Sequence, residues 1–279
     1  MRLSSQLLLT LNKLFPVPVH PFNLANQGKM SYAEWQFQKG ALTIQHYKPF
    51  IDPAAMFKGK KVLDIGSGAG GKTLYYASLG AEKIWGVDIV PHYQAEATAL
   101  AEAKGMSEIA EFLTGDATKL PFPDNFFDVI IANDVMEHVD DPEGTLIEAH
   151  RVLRPGGRFY TNFPPYYHPH GAHLSDVIGM PWVHAVWSEP ALIEAYADLV
   201  KDLPDAEMRL KLRLGDPATN RERITYINKM TIARFDRIIQ KSPLKIAYYR
   251  RVPLRGFLSP AAKAVPEFFN KAVVCVLEK

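Results

Sequence analysis

The sequence predicts an α/β fold, an open and mostly parallel sheet with helices on both faces. Three observations carry this. An apolar run, Val62, Leu63 and Ile65, passes directly into the glycine-rich turn Gly66-Ser67-Gly68-Ala69-Gly70-Gly71. Further short apolar runs follow at intervals, separated by stretches of helical length, which is the pattern of repeated βα units. Polar residues stand where the runs end, at Asp88, Gly115-Asp116-Ala117 and Asn133-Asp134.

Taken in order, residues 1–59 form an N-terminal helical cap. Within it Leu3, Leu7, Leu11 and Leu14 share one helical face, which Leu8 and Phe15 widen. Pro16, Pro18 and Pro21 make a stiff connector, and residues 31–47 read as an amphipathic helix. Residues 60–163 hold strands at 60–65, 84–88, 111–114 and 127–132, with helices at 70–79, 91–104 and 142–153 between them. Pro91 and Pro142 suit a first helical turn. Leu153-Arg154-Pro155-Gly156-Gly157-Arg158 stops a helix and turns into a fifth strand ending near Phe163. Residues 164–243 break the alternation with an irregular Pro/His/Tyr stretch and then helices. Ser188 is placed to cap one helix, and Thr219-x-x-Glu222 is a capping box for another running to about Gln240, with Ile224, Ile227, Phe235 and Ile238 as its apolar face. Residues 244–279 return to strands at 244–249 and 272–277 around a Pro-rich loop.

The glycine turn lets backbone lie where any Cβ would clash, and a helix starting near Gly70 aims its amides at whatever sits there. A nucleotide-like cofactor is expected. Gly66-x-Gly68-x-x-Gly71 also satisfies a dinucleotide fingerprint, so the turn by itself leaves a nicotinamide cofactor open. Asp64 lies two residues before the first glycine. Asp88 can accept both ribose hydroxyls, and Asp116 can accept the exocyclic amine of an adenine.

This ordered set resembles the class I S-adenosylmethionine-dependent methyltransferases, in the branch that includes ubiquinone, menaquinone and small-molecule methyltransferases. The resemblance covers about residues 60–163 and the C-terminal strands. It implies a Rossmann-like seven-stranded sheet with the last strand antiparallel, and S-adenosylmethionine as cofactor. It places the methionine part on Gly66–Gly70, the ribose at Asp88 and the adenine beside Asp116. The site it implies is lined by Asp64, Gly66, Ser67, Gly68, Gly70, Asp88, Ile89, Asp116, Ala117, Asn133, Asp134 and His138. The sequence thus divides into a cap (1–59), a cofactor domain (60–163 and 244–279) and an insert (164–243). The insert leaves the end of the fifth strand, where open parallel sheets bind ligands, and so reads as a substrate lid.

Net charge is +2, which gives no global argument for nucleic acid. Lys201 to Lys263 holds 15 Lys/Arg against 6 Asp/Glu, a local +9 that leaves −7 elsewhere. Such a segment suits an acidic substrate or an anionic surface, and equally a solvated helical face. Cys275 is the only cysteine, so the chain forms no internal disulfide and builds no thiolate metal site. A cytoplasmic protein is expected, with no secretory leader and no transmembrane run. Peripheral membrane contact through residues 1–15 is a further expectation.

Methyl transfer from a sulfonium is an in-line displacement in which alignment and exclusion of water are worth about 7–11 kcal/mol. A hydroxyl or ammonium acceptor also needs a base, which adds ~10²–10⁴-fold, and histidine starts nearest the right pKa. Four of the nine histidines, His168, His170, His173 and His184, fall in one short region of the insert. One of them is expected as general base, with His173 and His170 first. Structural roles, or a metal site adding Asp176, are the competing readings. Tyr166, Tyr167 and Trp182 are expected to line the acceptor pocket. His138, in Asp134-Val135-Met136-Glu137-His138, is a weaker base candidate. Asn162-Phe163-Pro164-Pro165-Tyr166 is similar to the Asn-Pro-Pro-Tyr element of amino-methyltransferases, but an extra Phe interrupts it and it follows the fifth strand rather than the fourth, so DNA is excluded.

The leading expectation is a small-molecule methyltransferase, O-directed because of the histidines. The alternative is a lipid or quinone acceptor at a membrane. RNA modification rests on the basic segment alone, without an aromatic stacking platform, and a non-catalytic binding protein runs against the intact cofactor residues. The acceptor and the oligomeric state are not legible.

Overall fold

A computed structural model describes residues 1–214 and 223–279. The chain divides into two compact units. One comprises residues 31–163, 233–252 and 272–279; the other comprises residues 1–30, 164–232 and 253–271.

The first unit is built on a seven-stranded sheet: β1 (Lys61–Ile65), β2 (Lys83–Asp88), β3 (Ala110–Thr114), β4 (Phe127–Asn133), β5 (Leu153–Phe163), β6 (Lys245–Pro253) and β7 (Asn270–Glu278), in the spatial order β3-β2-β1-β4-β5-β7-β6. β1 to β5 pair in parallel, with Val62 between Ile84 and Val129. β7 runs antiparallel to β5, with Asn162 opposite Val274. The strands are near-continuous apolar runs because both faces are covered; Val62, Leu63, Ile84, Ile130 and Ile131 are fully buried. The chain moves outward from β1 to β3 and then returns to β4 on the other side of β1. That reversal opens the crevice in which such sheets hold ligands. The turn expected at 153–158 is absorbed into β5: between Phe127↔Leu153 and Val129↔Arg158 the register shifts, and Gly156 takes φ +76°.

Helices Gly71–Ser78, Pro91–Ala103 and Pro142–Val152 connect the strands, with both prolines in the first turn. Asp141 caps the third by accepting Gly144 N–H at 2.9 Å. Helix Tyr32–Ile44 is capped by Ser31, which accepts Glu34 N–H at 3.1 Å. It belongs to this unit rather than to a separate cap, because it packs on Gly71–Ser78 at backbone contact. A Cβ on Gly71 would overlap Ala33 O and stand 2.6 Å from Phe37 N.

In the second unit, helix Leu3–Asn12 packs beside Glu189–Val200. Ser5 Oγ donates to Glu194 Oε2 at 2.8 Å, and Asn12 Nδ2 donates to Val177 O at 3.0 Å. The inward face is therefore Ser5, Leu8 and Asn12, and Leu3, Leu7 and Leu14 point outward. Leu3 is 84% exposed, Leu7 55% and Leu14 76%. At the unit's centre lies a buried charged knot. Arg209 donates to Asp176 Oδ2 at 3.0 Å, to Asp205 Oδ2 at 2.9 Å and to Asn23 Oδ1 at 3.0 Å, and Tyr196 O–H donates to Asp176 Oδ2 at 2.8 Å.

Other expectations shift. Ser188 occupies the N-cap position of Glu189–Val200, but its side chain makes no capping hydrogen bond. Thr219 and Glu222 lie outside the described residues. The helix assigned to that capping box runs only over Ile232–Lys241, since Lys229 at φ +56° interrupts any helical path before it. The Pro-rich loop before β7 carries two short helices, Ser259–Ala264 and Pro266–Phe269. Among the described residues no helix is long and apolar enough to cross a membrane.

Candidate active site

The site is built at the carboxyl ends of β1, β2, β3 and β4. After Ile65 the chain turns through Gly66 (φ +70°), Gly68 (φ +53°) and Gly70 (φ +80°), a run of left-handed backbone that side chains resist. Gly66 and Ser67 donate their amides to Val87 O at 2.8 and 3.2 Å, which fastens the turn to β2. A Cβ on Gly66 would collide with Val135, and one on Gly70 would stand 2.5 Å from Ala97 Cβ and 2.9 Å from Phe112. Gly66 itself is exposed, so the turn offers bare backbone to a ligand.

Asp88, at the end of β2, accepts Gly68 N–H on Oδ2 at 2.8 Å and Val90 N–H on Oδ1 at 2.9 Å. Burial raises its pKa and these amides oppose the rise. Each carboxylate oxygen keeps lone-pair capacity for a hydroxyl donor, which suits a ribose diol. Ile89 beside it is 67% exposed, an apolar side chain on the surface next to the carboxylate. Gly115 N–H donates to Asp88 O at 3.0 Å and ties the end of β3 to that of β2. Asp116 is exposed and fixed by a turn of its own, its Oδ1 accepting the amide and hydroxyl of Thr118, both at 2.8 Å. The exposed carboxylate keeps acceptor capacity that suits an exocyclic amine. Ala117 is half-buried beside it.

Two expected contacts prove to be internal. Asp64 is buried and accepts the Thr73 hydroxyl at 2.6 Å. Burial pushes its carboxyl up to about 7 against the pull of Thr73 and Lys72. It clamps the base of the turn to the following helix. Asn133 is buried, and its side chain is committed to a polar network: Oδ1 accepts Tyr47 O–H and Asn162 Nδ2, both at 2.6 Å, and Nδ2 donates to Tyr76 O–H at 3.2 Å. Both side chains are engaged within the chain. Asn162 is consumed in the same network, its Nδ2 also donating to the Tyr47 hydroxyl at 3.2 Å.

Asp134 takes φ +57° and accepts Lys72 Nζ at 2.9 Å. Burial works against the ammonium, yet Asp134 beside it holds Lys72 above the usual lysine range. His138 closes the next turn, its amide donating to Val135 O at 2.7 Å. Gln36 and Lys72 join this neighbourhood without having been singled out from the sequence; Glu137 lies in the 134–138 run already noted. Gln36 Oε1 is buried with no hydrogen-bond partner, and Gln36 Nε2 lies 3.2 Å from where a Gly68 Cβ would be. Only the pairing of strand ends with the helix Tyr32–Ile44, which sequence spacing does not encode, could have found it.

His168, His170, His173 and His184 all belong to the second unit, as do Tyr166, Tyr167 and Trp182. Burial pulls His168 and His184 down to about 4, and His170 also lies below its ordinary value. His168 Nδ1 accepts His170 N–H at 3.3 Å. His173 sits in left-handed backbone (φ +54°) with its ring 6.1 Å from Tyr226. Tyr166 packs on Tyr167 and His184 at 5.1 and 4.8 Å, and Tyr167 stacks on Phe268 at 4.9 Å. Trp182 donates its indole N–H to Tyr167 O at 3.0 Å. The aromatic residues thus form one cluster.

Residues 63–161 match the family model described as methyltransferase domain, and the stretch is such a domain, of the class I S-adenosylmethionine-dependent kind. A sterol 24-C-methyltransferase of Gibberella zeae is 34% identical over 131 residues, 47% of this chain and 34% of that protein. A probable tocopherol O-methyltransferase of Oryza sativa subsp. japonica is 36% identical over 101 residues, 36% of this chain and 28% of that protein. A phosphoethanolamine N-methyltransferase of Arabidopsis thaliana is 35% identical over 115 residues, 41% and 23% respectively. The chain spans about a third or less of these relatives' length. Among solved structures, the [4+2]-cyclase SpnF aligns with a TM-score of 0.56 at 19% identity, over 89% of this chain and 84% of its own. A geranyl diphosphate methyltransferase in complex with its cofactor aligns at 0.53 and 14%, over 86% and 84%. Both show the fold.

Proposed function

We propose that this chain, carrying a class I methyltransferase domain at residues 63–161, transfers the methyl group of S-adenosylmethionine to a small-molecule acceptor. The observation that carries the reading is the left-handed turn at Gly66–Gly70 with Asp88 hydrogen-bonded into it and Asp116 at the next strand end. The bare backbone takes the methionine part, Asp88 the ribose diol, Ile89 the face of the adenine and Asp116 its amine. When bound, the cofactor supplies an electrophilic methyl with a good leaving group. The chain's own work is to hold that methyl in line with the acceptor and to exclude water.

Curated relatives matched over the same stretch are named for C-, O- and N-methylation, so the acceptor is set by residues outside it. The insert 164–243 is the natural lid, with Tyr166, Tyr167 and Trp182 as its apolar lining. O-methylation with a histidine base remains our reading of the acceptor side. Imidazoles held near 4 are neutral at pH 7 and serve as hydrogen-bond acceptors; His173, with His170 second, is the base in this reading. His173→Ala should lower kcat by ~10²–10⁴-fold while leaving cofactor affinity unchanged; activity unaffected by either histidine change would end the base assignment. Calorimetric titration with S-adenosylmethionine, with NADH as control, tests the cofactor.

A second reading is a lipid or quinone acceptor reached at a membrane. Leu3, Leu7, Leu14, Val17 and Val19 are exposed, and residues 1–30 contain three cationic and no acidic side chains. An apolar, cationic segment suits an anionic bilayer surface. Salt-sensitive flotation with anionic vesicles, lost on removal of residues 1–15, is the expected result; no flotation would exclude this reading.

A further inference from the structure

In the unit that carries the sheet, Glu137 is the one described carboxyl with both oxygens buried and no hydrogen-bond partner for either. The residue is 2% exposed. Asp128, whose Oδ1 also lacks a hydrogen bond, faces Arg154 and accepts Lys61 N–H at 2.7 Å on Oδ2. Glu137 has no comparable support. His138 Nε2 lies 3.7 Å from Oε1, beyond hydrogen-bond distance. Lys72 is already engaged by Asp134 at 2.9 Å. Burial first, and then the like charge of Asp134, hold the Glu137 carboxyl well above the usual carboxylate range.

The position is specific. Glu137 lies in the turn that follows β4, which closes through His138 N–H and Val139 N–H on Val135 O at 2.7 and 3.2 Å. In the same turn Val135 fills the space beside Gly66. The carboxyl therefore stands in the loop bordering the glycine turn, at the reversal of strand order. A buried acid without a partner is costly, and such groups persist where something else supplies the opposite charge. The donor proposed for this turn is a cation at its reacting atom. When the methyl leaves, the S–CH3 electron pair stays on sulfur, the sulfonium becomes a neutral thioether, and the positive charge passes to the acceptor.

We infer that Glu137 is the counter-charge for the sulfonium, a side chain that makes the site bind the charged donor more tightly than its neutral, demethylated product. The inference rests on the methyltransferase reading above. It gives product release a physical cause, since the attraction disappears with the transferred charge.

The test is calorimetric titration of the full chain and of Glu137→Gln with S-adenosylmethionine and with S-adenosylhomocysteine, alongside thermal unfolding without ligand. The glutamine keeps the shape and removes the charge. We expect it to weaken binding of the sulfonium by about tenfold or more, to leave binding of the thioether within about twofold, and to leave the unliganded melting temperature unchanged or higher. Equal weakening for both ligands, unchanged sulfonium affinity with a raised KM for the acceptor, or a clear loss of unliganded stability would each overturn the inference. Failure of the unaltered chain to bind either ligand would instead sink the methyltransferase reading itself.

Discussion

Gly68 donates its amide to Asp88 Oδ2 at 2.8 Å, so the acid that ends β2 is fastened to the middle of the glycine turn that follows β1. The two strands present one surface, in which the backbone expected against the methionine part and the carboxylate expected against the ribose are held in fixed register.

Asp88→Ala should weaken S-adenosylmethionine binding severely, because it removes the acceptor for the ribose and leaves Gly68 N–H and Val90 N–H without their partner. A hydrogen bond to a charged group is worth about 1.5–3 kcal/mol, which corresponds to a 10–150-fold loss in affinity by titration. Asp88→Asn should lose less, since one oxygen remains.

Gly70→Ala should destabilise the fold before it touches the cofactor. The position takes φ +80°, and the added Cβ would meet Ala97 and Phe112. Left-handed strain of about 1–3 kcal/mol adds to the overlap, so the urea midpoint should fall clearly.

Asp64 gives the fold a pH dependence of defined sign. Its carboxyl is pushed up from 3.8 to about 7 in the folded protein. The native state therefore keeps its proton across a range where the unfolded chain has lost it. Stability is fully present below pH 4 on this account and falls as pH rises from about 4 to about 7. Glu137, raised as well, acts in the same direction. Asp64→Asn should flatten the decline in chemical-denaturation midpoint between pH 5 and 7; an unchanged slope would contradict the assignment.

Arg209→Ala should unfold the unit built from the N-terminal helix and the insert. The guanidinium is fully buried, and its loss removes the paired charge 3.0 Å from buried Asp176. Breaking a buried pair costs about 3–5 kcal/mol, so limited proteolysis should cut first within residues 164–214.

The fold was legible because β1 to β4 are short apolar runs with polar residues at their ends, a local signal. Asp88 and Asp116 were legible for the same reason. The internal partners of the Asn133 and Asp64 side chains were not legible, because sequence shows which residues end a strand but not which of them a neighbouring helix engages; Tyr47, Tyr76 and Thr73 do so here. Gln36 stayed hidden, and Glu137 was legible only as the neighbour of His138, because an unanswered buried acceptor is a property of packing. The leucine face of residues 3–14 was read with the right period, and its direction was not legible, since Ser5 and Asn12 make the hydrogen bonds that turn the helix.

The central claim is that the turn at Gly66–Gly70 and Asp88 form an S-adenosylmethionine site. Titrating the full chain and Asp88→Ala with S-adenosylmethionine and with NADH tests it most directly. The account predicts micromolar binding of S-adenosylmethionine alone, lost or severely weakened in the variant. Binding of NADH instead, or equal S-adenosylmethionine affinity in both proteins, would contradict it.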